Sequence, residues 1–315
     1  MRAVVYDRYG PPEVLRLEEV ATPTPGANEV LIEVVATSVN RSDWECLVGT
    51  PAYARIGGLR TPAKRTLGSD IAGRIAAVGE AVTRFDVGDE VYGESPMGGF
   101  AEYAVAKESA LAHKPESLTF VDASTIPQAG AIALQGTTGV GAGQRFLING
   151  AGGGTGAFAI QLAKRSGAHV AGVDNAAKLD FMRALGADEV IDYQREDFTR
   201  KGPYDFVLDL VAHRSVFAYR RSLAPGGRYR SVGGPVPTLL RIVTVGALVG
   251  RLSGRSIRML LVKPGPAHFR PLTEMCVSGD IEIHIDEVFP LSEAPQALAR
   301  VGDGHALGKV VVEVA

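Results

Sequence analysis

Residues 144–163 read QRFLINGAGGGTGAFAIQLA: an apolar run ending at Asn149, a glycine-rich turn, and a second apolar run with helical spacing. Ala151, Gly153 and Gly156 take the three fixed positions of a GxGxxG fingerprint, with alanine in the first. The chemistry such a turn suits is the grip on a pyrophosphate. Glycine at 153 lets the backbone come close to phosphate, and glycine at 156 lets the following helix lie close to the sheet. The helix start, at Gly154 and Thr155, offers unpaired N–H groups and a positive dipole end. A second strand-like run, HVAGVD, ends at Asp174, eighteen residues past Gly156, where a carboxylate suits a ribose diol. A glycine turn that only packs a helix on a strand has the same composition. The flanking strands and the place of Asp174 are what argue for a dinucleotide.

Those residues need elements to hold them. From Gln144 the chain alternates strand and helix: QRFLIN, GTGAFAIQLAKRSG, HVAGVD, KLDFMRALG, then the strands EVIDY, YDFVLDLV and GGRYRSVGG. Alternation of this kind predicts a parallel sheet with right-handed crossovers. Before it, residues 120–142 carry helical apolar spacing. The N-terminal part is different. MRAVVYD, EVLIEVVATSV, GSDIAGRIAAVGEAV, FDVGDEVYG and GGFAEYAVA read as short strands joined by glycine turns, a small barrel or sandwich. From about Phe269 the tail returns to short strands, IEIHIDEVFP and GKVVVEV, and is expected to fold back on the first domain. The fold class is therefore α/β. The expected division is residues 1–118 with 269–315 as one domain and residues 119–268 as the other.

Composition narrows the function. The 315 residues are 46% hydrophobic and 22% charged with a net charge of −2, a globular profile with nothing global to suggest nucleic-acid binding. Two cysteines, Cys46 and Cys276, exclude a disulfide framework and a four-cysteine zinc lobe. The N-terminus lacks the apolar core of a signal peptide, and no apolar stretch reaches the ~20 residues of a membrane span. The expectation is a cytoplasmic protein.

The order and spacing of NRSDW, LGSDIAGRIAAVG, FDVGDEVYG, GGFAEYAVA, NGAGGGTG, LGADEVIDY and GGRYRSVGG resemble the medium-chain dehydrogenase/reductase superfamily, in particular its zinc-free quinone-oxidoreductase branch. The resemblance covers nearly the whole chain. It implies a GroES-like catalytic domain built from both chain ends, a central Rossmann domain, and a cleft between them. It also implies an NAD(P)H-dependent oxidoreductase that uses no zinc. Asn40 and Ser69 stand where zinc members carry a cysteine and a histidine, and neither is a plausible zinc ligand. Cys46 lies on the wrong side of Asp43 to replace the lost ligand and reads as a free structural thiol.

Further roles follow from the same resemblance. Relatives that use NADP carry a lysine and a tyrosine matching Lys178 and Tyr193, whereas Asp174 favours the unphosphorylated ribose of NAD; the coenzyme choice stays open. The backbone around Ser231, Val232, Gly233 and Gly234 is expected near the nicotinamide, and the acceptor near Asn40–Asp43. Asn40 is the candidate donor to a carbonyl or quinone oxygen. Asp43 and Ser69 are candidates that also suit turn stabilisation. Tyr53, in TPAYARI, is the candidate general acid, with a core or surface tyrosine as the alternative. His213 either faces the coenzyme or lies on a surface loop. Water can also supply the proton.

The expected reaction is reduction of a quinone, enone or enoyl-type acceptor. The alternatives are a carbonyl reductase or alcohol dehydrogenase, and a coenzyme-binding interaction protein without turnover. Between Asp209 and Glu274 there are eleven Arg or Lys residues and no acid. This basic span either receives a phosphorylated thioester handle or forms a solvated face beside the apolar PVPTLLRIVTVGALVG. SIRMLLV, residues 256–262, reads as a late strand whose edge pairs in a homodimer or is guarded by Arg255 and Arg258.

Overall fold

The computed structural model describes residues 1–314, so Ala315, the last residue of the expected 269–315 segment, lies outside the described residues. The chain divides into two compact units, Met1–Ala131 with Lys263–Ala315, and Ile132–Val262.

The first unit opens with β1 (Arg2–Val5) and β2 (Arg16–Glu19), an antiparallel pair. It continues with β3 (Glu29–Val39), α1 (Arg41–Val48), β4 (Asp70–Val78), β5 (Glu90–Glu94), β6 (Tyr103–Lys107), β7 (Leu111–His113) and α2 (Phe120–Ser124). α3 (Pro127–Thr137) begins here and runs into the second unit. There follow β8 (Arg145–Asn149), α4 (Gly154–Arg165), β9 (His169–Asp174), α5 (Leu179–Ala184), β10 (Glu189–Asp192), β11 (Tyr204–Asp209), α6 (Val216–Ser222) and β12 (Leu223–Ser231). α7 (Val236–Arg241) and α8 (Ala247–Leu252) are joined by a π-helical turn, Ile242–Gly246, and β13 (Ser256–Met259) closes the unit. The chain then returns to the first unit with α9 (Arg270–Val277), β14 (Ile285–Pro290), α10 (Ala294–Gly302) and β15 (Lys309–Glu313).

β3 is the spine of the first unit. Its apolar residues Val30, Ile32 and Val34 are buried in alternation, as a strand with one covered face requires. Its last four residues are all buried, Thr37 and Ser38 included. The sheet order is β14–β15–β3–β4–β5–β7, with β6 paired to β3; β14 and β15 are parallel, the other pairs antiparallel. In the second unit the order β10–β9–β8–β11–β12–β13 is parallel throughout. Central β8 buries Phe146, Leu147, Ile148 and Asn149 without alternation, as a strand covered on both faces does.

Two expectations are corrected. The tail is not only strand: it also forms α9 and α10, each short and set among residues with β character. The units also meet at 131/132 and 262/263, not at 118/119 and 268/269. The helical spacing from residue 120 suggested a change of domain, but side-chain and backbone contacts hold this segment to the first sheet. Phe120 lies under the Arg74 guanidinium at 4.8 Å, and Gln128 N–H donates to the Asp70 carboxylate at 3.1 Å. Likewise Gly265 N–H donates to Glu94, and Phe269 packs edge-on against Tyr92.

Candidate functional site

In the second unit β8 ends at Asn149, and the glycine turn leads into the twelve-residue α4. Gly153 is the N-cap of α4, and no side chain caps it, so the first N–H groups of the helix are left for another acceptor. A Cβ on Gly156 would lie 2.4 Å from the Ala151 carbonyl oxygen, which is why the helix can pack this close to the turn only with glycine there. A Cβ on Gly153 would meet nothing nearer than the Gly150 oxygen at 3.8 Å, so the space it would enter is open. Ala151 is buried, with its N–H on the Val173 carbonyl. Free amides, a helix start and open space above Gly153 are the features that a pyrophosphate requires, so Gly154, Thr155 and Gly156 fit a bound dinucleotide.

Asp174 ends β9, but its carboxylate turns back onto the loop. It accepts from Gly152 N–H at 3.0 Å and Asn175 N–H at 2.9 Å. Lys178, only 5% exposed, places its ammonium 3.7 Å from that carboxylate and lays its methylenes over Gly152. The two residues that argued for opposite coenzymes are therefore an ion pair. Tyr193 is 46% exposed, and its N–H donates to the Asp174 carbonyl.

A residue the sequence reading passed over organises the neighbouring loop. Asp209, fully buried at the end of β11, accepts from Asn149 Nδ2 at 2.8 Å and Tyr229 Oη at 2.9 Å. It also accepts from the backbone N–H groups of Val211 and Ala212. Its one signal is an acid at the end of an apolar strand. Val232 N–H donates to the Asp209 carbonyl, and Gly233 and Gly234 then turn the chain with φ of 72° and 121°. His213 is exposed on the loop after β11. A surface cavity of about 350 Å³ lined by Thr199, Arg200, Gly202, Pro203 and Arg221 lies by the start of β11. Dinucleotides bind at the opposite, carboxyl ends of such strands.

In the first unit the candidate acceptor residues form a buried polar network. Asn40 Nδ2 donates to Asp70 Oδ2 at 2.9 Å and to Ser69 Oγ at 3.3 Å, and Asn40 Oδ1 accepts from Lys309 Nζ at 2.7 Å. Asp70 also accepts from Gln128 N–H and Ser38 Oγ, with Lys309 Nζ 3.8 Å away. Burial pushes the Asp70 carboxyl up and the Lys309 ammonium down, and each charge opposes the shift of the other. The expectation that Asn40 offers a free donor is corrected: its amide is committed on both ends. The hydroxyl of Ser69 is different. It accepts from Asn40, and its own proton has no protein acceptor among the described residues. The sequence carries no signal for Lys309, since a lysine opening a strand after glycine reads as an ordinary solvated charge.

Asp43 and Tyr53 are both engaged by neighbouring groups. Asp43, in the first turn of α1, reaches back to Asn40 N–H at 2.8 Å, one arm of a capping box, and accepts from Gly68 N–H at 3.1 Å. It is fully buried, and burial pushes its pKa up to about 7. Its carboxylate thereby ties two backbone turns together. Tyr53 lies in the 3₁₀ turn Ala52–Arg55, and its hydroxyl donates to Glu45 at 3.1 Å. That bond engages the proton which a general acid would deliver. Cys46 is half-buried, its thiol pushed up to about 11 mainly by burial. Among the described residues no group of three His, Cys, Asp or Glu is placed to hold a metal ion. No helix of the described residues is long and apolar enough to cross a membrane.

Comparison with known proteins adds to this geometry. A family model described as an alcohol dehydrogenase GroES-like domain matches residues 26–116, and one described as a zinc-binding dehydrogenase matches residues 185–312. The chain is 35% identical to the chloroplastic quinone-oxidoreductase QR1 of Triphysaria versicolor, over 99% of this chain and 98% of that protein. It is 31% identical to the chloroplastic NADPH-dependent alkenal/one oxidoreductase of Arabidopsis thaliana, over 99% of this chain and 79% of that one. The structure of the quinone oxidoreductase from Coxiella burnetii superposes with a TM-score of 0.89 at 32% identity, covering 100% of this chain and 99% of that one.

Proposed function

The chain belongs to the zinc-free quinone-oxidoreductase-like branch of the medium-chain dehydrogenase/reductase superfamily, and on that premise we propose that it reduces the activated double bonds of quinones, enones or enoyl compounds with NAD(P)H. A bound nicotinamide coenzyme supplies the hydride. Gly154, Thr155 and Gly156 would hold its pyrophosphate through backbone N–H groups, and the Asp174–Lys178 pair would meet its adenosine ribose. Val232 and Gly233 shape the nicotinamide end.

On the acceptor, hydride adds at the β-carbon, the C=C π pair moves toward the carbonyl oxygen, and a proton from water completes the saturated product. What this chain contributes is a donor at that oxygen, where negative charge develops. The observation that carries the reading is the Asn40–Ser69 pair. At the two positions where zinc relatives hold metal ligands, this chain has an amide bonded to a hydroxyl whose proton is free to face an oxygen. Simple aldehydes and ketones need stronger polarisation than one neutral hydrogen bond provides, whereas a conjugated acceptor needs less. The coenzyme preference within this proposal is NADH, because Asp174 repels a 2′-phosphate more than the committed Lys178 attracts it. The proposal includes a homodimer paired through β13. The acceptor is a small electrophile and its class extends to thioesters. The family sets no compartment, since two of the proteins named above are chloroplastic while the expectation here is cytoplasmic.

The test is an anaerobic assay of NADH and NADPH oxidation with quinones, enones, enoyl-CoA thioesters with their N-acetylcysteamine analogues, and simple aldehydes. Turnover of conjugated acceptors and quinones is expected. Turnover confined to simple aldehydes would overturn the reading in favour of a carbonyl reductase. Coenzyme binding without turnover of any acceptor would overturn it in favour of a binding protein.

A further inference from the structure

Lys309 has no part in the function as stated so far, yet it is a deeply buried charge. It opens β15 at 3% exposure, and lysine is almost never buried this deeply unless it is paired. Strand register brings its partners to it. Val310 pairs with Val39 and Ser38 pairs with Asp70, so the ends of three adjacent strands, β15, β3 and β4, converge beside Asn40. The Lys309 ammonium donates to Asn40 Oδ1 at 2.7 Å, with Asp70 Oδ2 3.8 Å away as its counter-ion.

Donor and acceptor chemistry leaves the Asn40 amide one orientation. An ammonium is donor only and a carboxylate is acceptor only. Oδ1 must therefore face Lys309, and Nδ2 must face Asp70 and Ser69. With Nδ2 donating to it, Ser69 Oγ is an acceptor on that side, and its own proton is turned toward whatever lies on the other. Were the amide reversed, its oxygen would take that proton and the hydroxyl would have none to offer.

The geometry points to Lys309 as a positioning residue for the reduction: with Asp70 as counter-ion it locks the Asn40 amide and thereby aims the Ser69 hydroxyl at the acceptor's oxygen. The inference rests on the reading that the acceptor's oxygen binds at Ser69. Removing the ammonium leaves Asp70 without a counter-charge in a buried site. The carboxylate then takes up a proton, and both constraints on the amide are lost together.

The experiment is a double-mutant cycle, Ser69→Ala against Lys309→Met, in the full chain. kcat and KM are measured with an enone that the unmodified protein turns over, and coenzyme affinity by fluorescence titration. Each single substitution is expected to lower enone kcat/KM by roughly tenfold, and the double variant to be within about twofold of the worse single, because both remove the same aimed hydroxyl. Coenzyme affinity is expected to stay within about twofold throughout. A second variant, Lys309→Met with Asp70→Asn, removes the buried charges together. It is expected to melt nearer the unmodified protein than Lys309→Met does, yet to stay as slow, which a purely structural role would not produce. Fully multiplicative losses in the cycle, activity that recovers with stability in the paired variant, or Lys309→Met within twofold of the unmodified protein would each overturn the positioning role. Undiminished enone turnover in Ser69→Ala would overturn it too, by removing the acceptor from Ser69 while leaving the reaction class intact. The reaction class itself fails only if the unmodified protein turns over no conjugated acceptor.

Discussion

Asp43 is a carboxylate placed where charge is disfavoured. Its two accepted backbone bonds favour the ion, but burial outweighs them and brings its pKa up to about 7. The folded protein therefore keeps a proton that the unfolded chain releases above about pH 4. The contribution of this site to stability is highest below that pH and declines as pH rises to about 7. Asp43→Asn has no charge and keeps an acceptor for Asn40 N–H. The stability of the unmodified protein relative to this variant is expected to fall by on the order of 3 kcal/mol between pH 4 and 7, measured by urea unfolding at each pH. Parallel profiles would contradict it. Asp174 permits a second prediction. Without its carboxylate the Lys178 ammonium is freed to meet a 2′-phosphate, so Asp174→Ser is expected to lower KM for NADPH relative to NADH by about tenfold or more. An unchanged ratio would mean that the pair does not face the ribose. Tyr53→Phe, which removes the bond to Glu45, is expected to leave enone kcat/KM within about twofold.

At the scale of the element, the start of α4 separates packing from binding. A side chain at 156 collides with the Ala151 backbone at 2.4 Å, and backbone cannot yield. A side chain at 153 meets open space, in an extended conformation (φ −94°, ψ −179°) that alanine adopts without strain. Gly156→Ala is therefore expected to destabilise the protein by about 2 kcal/mol or more and to weaken coenzyme binding with it. Gly153→Ala is expected to leave stability within about 1 kcal/mol, while coenzyme affinity falls by roughly tenfold because the methyl takes the place of a phosphate oxygen. Thermal melts beside coenzyme titrations distinguish the two. Equal effects of both substitutions on both readouts would sink the assignment. The strand-to-helix turn was legible in the sequence because local geometry dictates it. The missed α9 and α10 were not, because segments of eight and nine residues derive their helicity from the tertiary packing of one face rather than from propensity.

At the scale of the whole molecule, β13 is one of the two edges of the parallel sheet, β10 being the other, and α7–α8 before it exposes Leu240, Val243, Leu248 and Leu252, with Leu261 just after it 81% exposed. An open edge beside apolar surface suits pairing with a second copy, and under the proposed homodimer the expected particle by light scattering is a dimer of the 33.2 kDa chain. A monomer at micromolar concentration would refute that. The sequence read as SIRMLLV suggested a longer strand, but pairing ends at Met259, and residues 234–254, left unplaced by composition, fold as nearly continuous helix. Several of the basic residues from 210 to 273 are taken up locally: Arg221 by Thr199 and Asp197, Arg230 by Ser256, and Arg255 by backbone carbonyls. By itself, the sequence determined the α/β alternation, the strand β3 and the glycine turn, because each is written in residues a few positions apart. Only the tertiary structure decided that Asn40 is already committed, that Asp174 and Lys178 form an ion pair, and that a lysine 269 positions away completes the site. Those facts depend on which strand ends meet and on what water is excluded from, and neither is a property of neighbouring residues in the chain.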